Sequence, residues 1–141
     1  MIVNSQSRRG LAGLERIRQV LAELGMETVE ASVADASGAA AAMREFRDRI
    51  DCVIVGGGDG TVISMIPGLL ESKLPLGIIP LGTFNDLART LEVPLEIEEA
   101  AARIAAGNVR TIDIARVNGA YFVNEASIGL SSRIARLQTS Q

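Results

Sequence analysis

The chain has no histidine and no tryptophan among its 141 residues, and only one cysteine and one lysine. Without histidine, the commonest general base near neutral pH and most transition-metal sites are excluded, so acid–base work falls to carboxylates. The lone Cys52 sits in an apolar run and has no internal disulfide partner, which fits a reducing, cytoplasmic compartment. Aromatic residues make up only 3% and the net charge is -3. Neither suits a nucleic-acid binder that relies on base stacking and phosphate neutralisation. No apolar run approaches the roughly 18 to 20 residues of a membrane span. The opening Met1-Ile2-Val3 lacks the charged start of a signal peptide. Composition still leaves room for a peripheral visit to the inner membrane surface. At 48% hydrophobic and 22% charged, the chain reads as one soluble globular domain. It is long enough to bury roughly two-thirds of its surface.

Apolar periodicity divides the chain into alternating strands and helices. Residues 1–3 read as a short strand, followed by a polar loop over 4–10. A helix over 11–24 carries Leu11, Leu14, Ile17, Leu21 and Leu24 on one face and stops at Gly25. Residues 28–33 are predicted to form a strand and 39–49 a helix. A uniformly apolar strand over 52–55 leads into Gly56, and a helix follows over 61–70. Residues 76–79 form another buried strand, closed by Pro80. One or two helical turns are predicted over 83–90, and a helix over 97–106 ended by Gly107. Strands over 109–117 and 120–124 flank Asn118-Gly119, the strongest two-residue hairpin signal. This order implies an α/β fold with a doubly wound, mainly parallel sheet, helices on both faces and a C-terminal β-hairpin. The domain is expected over 1–130, with 131–141 beginning a connection onward.

The stretch Gly56-Gly57-Gly58-Asp59-Gly60-Thr61 carries the most chemistry. A buried strand that breaks into glycines and then opens a helix presents bare N–H groups and a positive helix end, a setting that suits phosphate. Asp59 would repel a bare phosphate, so its presence points to a metal ion, a hydroxyl group or a transferable proton nearby. Two other glycine motifs do not fit. The phosphate loop of ATPases needs Gly-Lys, and Lys73 has no such context. The dinucleotide fingerprint would begin at Gly56 and Gly58 but meets Thr61 where its third glycine belongs. Read as structure alone, the stretch is a strand–helix turn.

Pro80-Leu81-Gly82-Thr83-Phe84-Asn85-Asp86-Leu87-Ala88-Arg89 forms a second constellation. One reading is a capped helix, with Thr83 and Asp86 as a capping-box variant and Arg89 paired with Asp86. The other places Thr83, Asn85 and Asp86 at the carboxyl ends of the strands, where open parallel sheets bind ligands. Asn4, Ser7, Arg8 and their neighbours suit phosphate or ribose contacts, or form a solvated loop. Phe122 to Gly129 contributes Asn124 and Ser127. Asp113, between Ile112 and Ile114, either faces water at a strand edge or needs a partner such as hydrated Mg²⁺.

Taken in order, these motifs resemble the diacylglycerol kinase catalytic-domain family, especially bacterial lipid kinases, with sphingosine kinases and more distantly NAD kinases as relatives. The family carries an Asn-Pro-x-Ser-Gly-like loop, Gly-Gly-Asp-Gly-Thr, Pro-x-Gly-Thr-x-Asn-Asp-x-x-Arg, a later strand Asp and Phe-x-Asn-x-x-Ser-x-Gly. The first motif departs, with Ser5 in place of Pro and Arg8 in place of Gly. By this resemblance the chain is the ATP-binding half of an ATP-dependent lipid kinase that phosphorylates a hydroxyl such as that of diacylglycerol. It would use ATP and Mg²⁺, serve phospholipid biosynthesis, and meet its lipid substrate at a membrane surface. Gly57, Gly58, Gly60 and Thr61 would cradle phosphates, with Asn4, Ser7, Arg8 and Thr83 adding contacts. Asp59 would be catalytic, and Asp113 would order Mg²⁺ through water. Asn85, Asp86, Arg89, Asn124 and Ser127 complete the motifs. Family members are longer and add a β-rich domain that this chain lacks. The chain alone is therefore expected to be inactive, with an apolar face near 109–124 favouring a homodimer. The alternatives are an NAD kinase-like or other small-molecule kinase, or a non-catalytic nucleotide-binding module.

Overall fold

The computed structural model describes residues 1–3, 8–31 and 36–123. Three parallel strands, β1 (Ile2–Val3), β2 (Val53–Gly57) and β3 (Leu76–Pro80), form one sheet in the order β1-β2-β3. Ile2 pairs with Val55, and Val53 pairs with Leu76. β2 is central and buried along its whole length, as its run of apolar and glycine residues requires.

Side chains of β2 alternate between two helical layers. Val53 and Val55, with Ile78 of β3, face α2 (Ala36–Phe46) and α3 (Asp59–Ser72), which supply Met43, Val62 and Met65. Ile54 and Ile79 face the opposite way, onto Ile17 and Leu21 of α1 (Arg8–Glu23) and Ala100 and Ala101 of α5 (Ile97–Ala105). Ile17, Leu21 and Met43 are almost completely buried, each side chain contributing roughly 1.5–3 kcal/mol of transfer free energy. Two glycines let the layers close. A Cβ on Gly68 of α3 would stand 3.0 Å from the Ala40 Cα of α2, and one on Gly77 would stand 2.8 Å from Ile104 of α5. An ion pair from Arg16 to Glu98 (2.6 Å) ties α1 to α5, and the Glu98 backbone N–H, followed by the Arg16 guanidinium, holds the Glu98 carboxyl below its usual range.

The α/β class, the parallel sheet and the helices on both faces agree with the sequence reading. Several boundaries do not. α1 begins at Arg8, so part of the expected 4–10 loop is helix. Residues 28–31 are not a strand. They run beside β1, where Met1 donates its terminal N–H to the Val29 carbonyl and the Ala31 N–H donates to Met1 O (3.1 Å). Residues 27–30 are exposed and only Ala31 packs partly against the core, and a two-residue neighbour offers little ladder. Residues 109–114 also form no strand, because no described strand lies beside them. The hairpin is shorter than expected, with β4 (Ala115–Val117) and β5 (Ala120–Phe122) antiparallel. Its turn follows the sequence rule: Asn118 (φ 48°) and Gly119 (φ 84°) both adopt the left-handed region.

Candidate functional site

β2 does not end where the glycines begin. Gly56 and Gly57 remain in the strand, paired with Ile79 and Pro80, and only Gly58 separates β2 from α3. Asp59 and Gly60 are therefore the first residues of a helix, not members of a loop. Gly58 is extended (φ -93°, ψ -175°), and no side-chain hydrogen bond caps the helix. None of the glycines from 56 to 60 has positive φ, so the turn does not need glycine for its backbone angles.

What requires glycine is close approach. A Cβ on Gly57 would lie 2.7 Å from Thr61 Cβ, and one on Gly58 would lie 3.1 Å from Gly82 Cα. In the reverse direction, a Cβ on Gly82 would come within 2.5 Å of Gly58 Cα. Gly60 differs, since nothing lies within 4 Å of its added Cβ and the residue is exposed. Of the three glycines expected to face phosphate, Gly60 alone opens onto free space, and Thr61 is partly covered by its contact with Gly57.

The second loop is fastened to the first. The Leu81 N–H donates to the Gly57 carbonyl (3.0 Å), and the Leu87 N–H donates to Asp59 Oδ1 (2.9 Å). Asp59 thereby caps α4 (Asp86–Thr90) from another element. The capping box expected between Thr83 and Asp86 does not form, because Asn85 occupies the N-cap position in the left-handed region (φ 54°, ψ 43°). Its side chain turns back to Gly82, accepting from the Gly82 N–H and donating to the Gly82 carbonyl, both at 2.9 Å. Asn85 is buried, whereas Thr83, Phe84, Asp86 and Arg89 are exposed. Arg89 does not pair with Asp86; its Nε donates to the Phe84 carbonyl (3.0 Å). An open cavity of about 440 Å³ lies between residues 80–82 with Asn85 on one side and residues 95–98 on the other.

Asp113 is exposed on the irregular 108–114 segment, not within a strand. No group of three potential metal ligands converges among the described residues. Arg8 starts α1; Asn4, Ser7, Asn124 and Ser127 lie outside the described residues. The structure thus brings together Gly57, Gly58, Asp59, Gly60, Thr61, Gly82 and Asn85. Sequence reasoning missed the parts played by Gly82 and the Leu87 amide. A signal existed for Asn85, because asparagine is enriched in left-handed backbone.

A family model of the diacylglycerol kinase catalytic domain matches residues 1–117. The chain belongs to the diacylglycerol kinase catalytic-domain family. This kinase-family chain is 43% identical over 124 residues to the diacylglycerol kinase of Bacillus subtilis (strain 168), an alignment covering 82% of the chain and 40% of the relative. A diacylglycerol kinase of Staphylococcus saprophyticus is 37% identical over 120 residues, covering 82% and 39%. A crystal structure of a diacylglycerol kinase from Bacillus anthracis str. Sterne superposes with a TM-score of 0.71 at 38% identity, covering 86% of this chain and 44% of the other. The chain therefore spans about 40% of the length of the curated relatives it matches. No helix among the described residues is long and apolar enough to cross a membrane.

Proposed function

We propose that this chain forms the nucleotide-binding portion of an ATP-dependent lipid kinase, which transfers a phosphoryl group to a lipid hydroxyl such as that of diacylglycerol. One observation carries the reading. The central strand passes through a single extended residue, Gly58, into a helix start with no side-chain cap and open space over Gly60. Backbone N–H groups at such a start attract phosphate oxygens, and a bare glycine lets them come close.

Phosphoryl transfer rests on positioning and charge neutralisation. In this reading the first turn of α3 holds the phosphates, and the exposed Thr83 hydroxyl lies across the edge from it. Asn4, Ser7 and Arg8 are assigned to the phosphates by the family motif alone. Asp59 is held by the Leu87 N–H, so its carboxylate keeps one orientation toward an acceptor hydroxyl. The donor set suits a Mg²⁺ held chiefly by phosphate oxygens, since Asp59 and Asp86 are the carboxylates at this edge and no protein cage forms among the described residues. Such an ion neutralises charge on the transferring group. Asp113 contributes through ordered water. The lipid stays at a membrane surface, and the protein reaches it peripherally.

Gly60→Val tests the assignment. The added side chain enters open space, so the chain should stay folded and lose ATP binding in a calorimetric titration. Unchanged affinity would move the site away from α3. A turnover assay with Mg-ATP and diacylglycerol, beside NAD as the acceptor, separates a lipid kinase from an NAD kinase-like enzyme or a binding module.

A further inference from the structure

We infer that Asn85 is a positioning residue for this edge: it closes the 82–85 loop on itself and so fixes both Thr83 and the Asp59–Leu87 bond. The inference rests on the reading that the edge binds nucleotide. Asn85 and Ser72 are the buried polar side chains among the described residues. A polar group is buried at a cost unless its partners are supplied, and Asn85 finds both of its partners on one residue, Gly82.

That residue is the one pressed against Gly58. The reciprocal pair of hydrogen bonds therefore holds the second loop at the distance where the two glycines touch. On its other side, the Asn85 carbonyl accepts the Arg89 N–H (3.0 Å), the first backbone bond of α4. The left-handed backbone of Asn85 turns the chain from the loop into that helix. Leu87, two residues on, then presents its N–H to Asp59. Loop, glycine contact and aspartate bond thus share one hinge point.

The chemistry selects asparagine. Glycine adopts the same backbone and makes neither bond. Aspartate tolerates the backbone and accepts from the Gly82 N–H, but sets a negative charge against the Gly82 carbonyl. The full chain is prepared as wild type, Asn85→Gly and Asn85→Asp. ATP affinity is measured by titration, and exchange of the Gly82 and Leu87 amides by NMR. In Asn85→Gly both amides should lose protection while Val55 and Ile79 keep theirs, and affinity should fall about tenfold, the factor that one or two hydrogen bonds carry. Asn85→Asp should retain protection at Gly82 and show an intermediate affinity. Wild-type affinity in Asn85→Gly, or a Leu87 amide that stays protected there, overturns the inference. Loss of protection throughout the core overturns it too, because Asn85 would then be a general structural residue. The exchange measurement needs no nucleotide. A wild-type chain that fails to bind ATP therefore refutes the proposed function, while Leu87 exchange still decides whether Asn85 is coupled to Asp59.

Discussion

At the scale of single residues, the glycines of this edge have separate reasons to be glycine. Gly57 leaves room for Thr61, Gly58 and Gly82 leave room for each other, and Gly60 leaves room for something outside the chain. Gly82→Ala should therefore destabilise the fold by about 1–3 kcal/mol, the usual cost of overpacking. Gly60→Ala should be neutral or stabilising by up to about 1 kcal/mol, since alanine is the better helix residue. Urea unfolding of the two variants checks the contrast, and equal effects would remove the distinction. The sequence shows Gly57, Gly58 and Gly60 as one phosphate motif and Gly82 in another. Which of them meets backbone depends on where β3 ends, and local spacing carries no record of that. The hydrogen bonds of Asn85 were hidden for the same reason: its partners are on Gly82, and only the closed loop reveals them.

Among the elements, α4 is the one that cannot stand alone. Five residues are far too few for an isolated helix. Its start is held by Asp59, while Arg110 reaches the Leu91 carbonyl (3.3 Å) just beyond its end and Arg103 donates to the Glu92 carbonyl. Asp59→Ala should free the Leu87 N–H and cost about 1 kcal/mol, as losing a cap does. Asp59→Asn keeps an acceptor oxygen and should leave α4 protected in amide exchange while lowering turnover in a full-length relative. If both variants leave Leu87 equally protected, the bond does not hold α4. The apolar stripe of α5 was legible to within a residue, while α1 and α2 were placed correctly but begin three residues earlier than read. The start of α4 was not legible, because its cap comes from an element 28 residues earlier in the chain. The strand predicted over 28–33 is absent from its described part, 28–31, and that over 109–117 is reduced to 115–117, because β character needs a neighbouring strand as well as β-branched residues.

For the whole molecule, the sheet and its two helical layers bury their apolar faces, but the segment leading to the hairpin does not. Val109 is 73% exposed, and Ile112 and Val117 are also open to solvent. A two-stranded hairpin of this length is marginal without a covering layer. The chain by itself is therefore expected to self-associate through this region, with mass above that of a monomer in light scattering. Replacing Val109 and Val117 with threonine should shift it toward the monomer. A monodisperse wild-type monomer at high concentration would show that this apolar edge does not drive association. The α/β class was readable from the alternation of elements. The apolar face near 109–124 was readable too, but the irregular backbone over 109–114 was not, since those residues have the composition of a strand.

The contact between Gly58 and Gly82 also limits how such a chain can drift. A side chain gained at either position meets the other's backbone at once, so no single substitution there leaves the two strand ends where they are. Change must therefore go around this point. The exposed Thr83 and Phe84 can vary in size or polarity without moving β2 or β3. In the proposed site, this exposed loop can thus be retuned for a different occupant while the pair of glycines beneath it stays fixed.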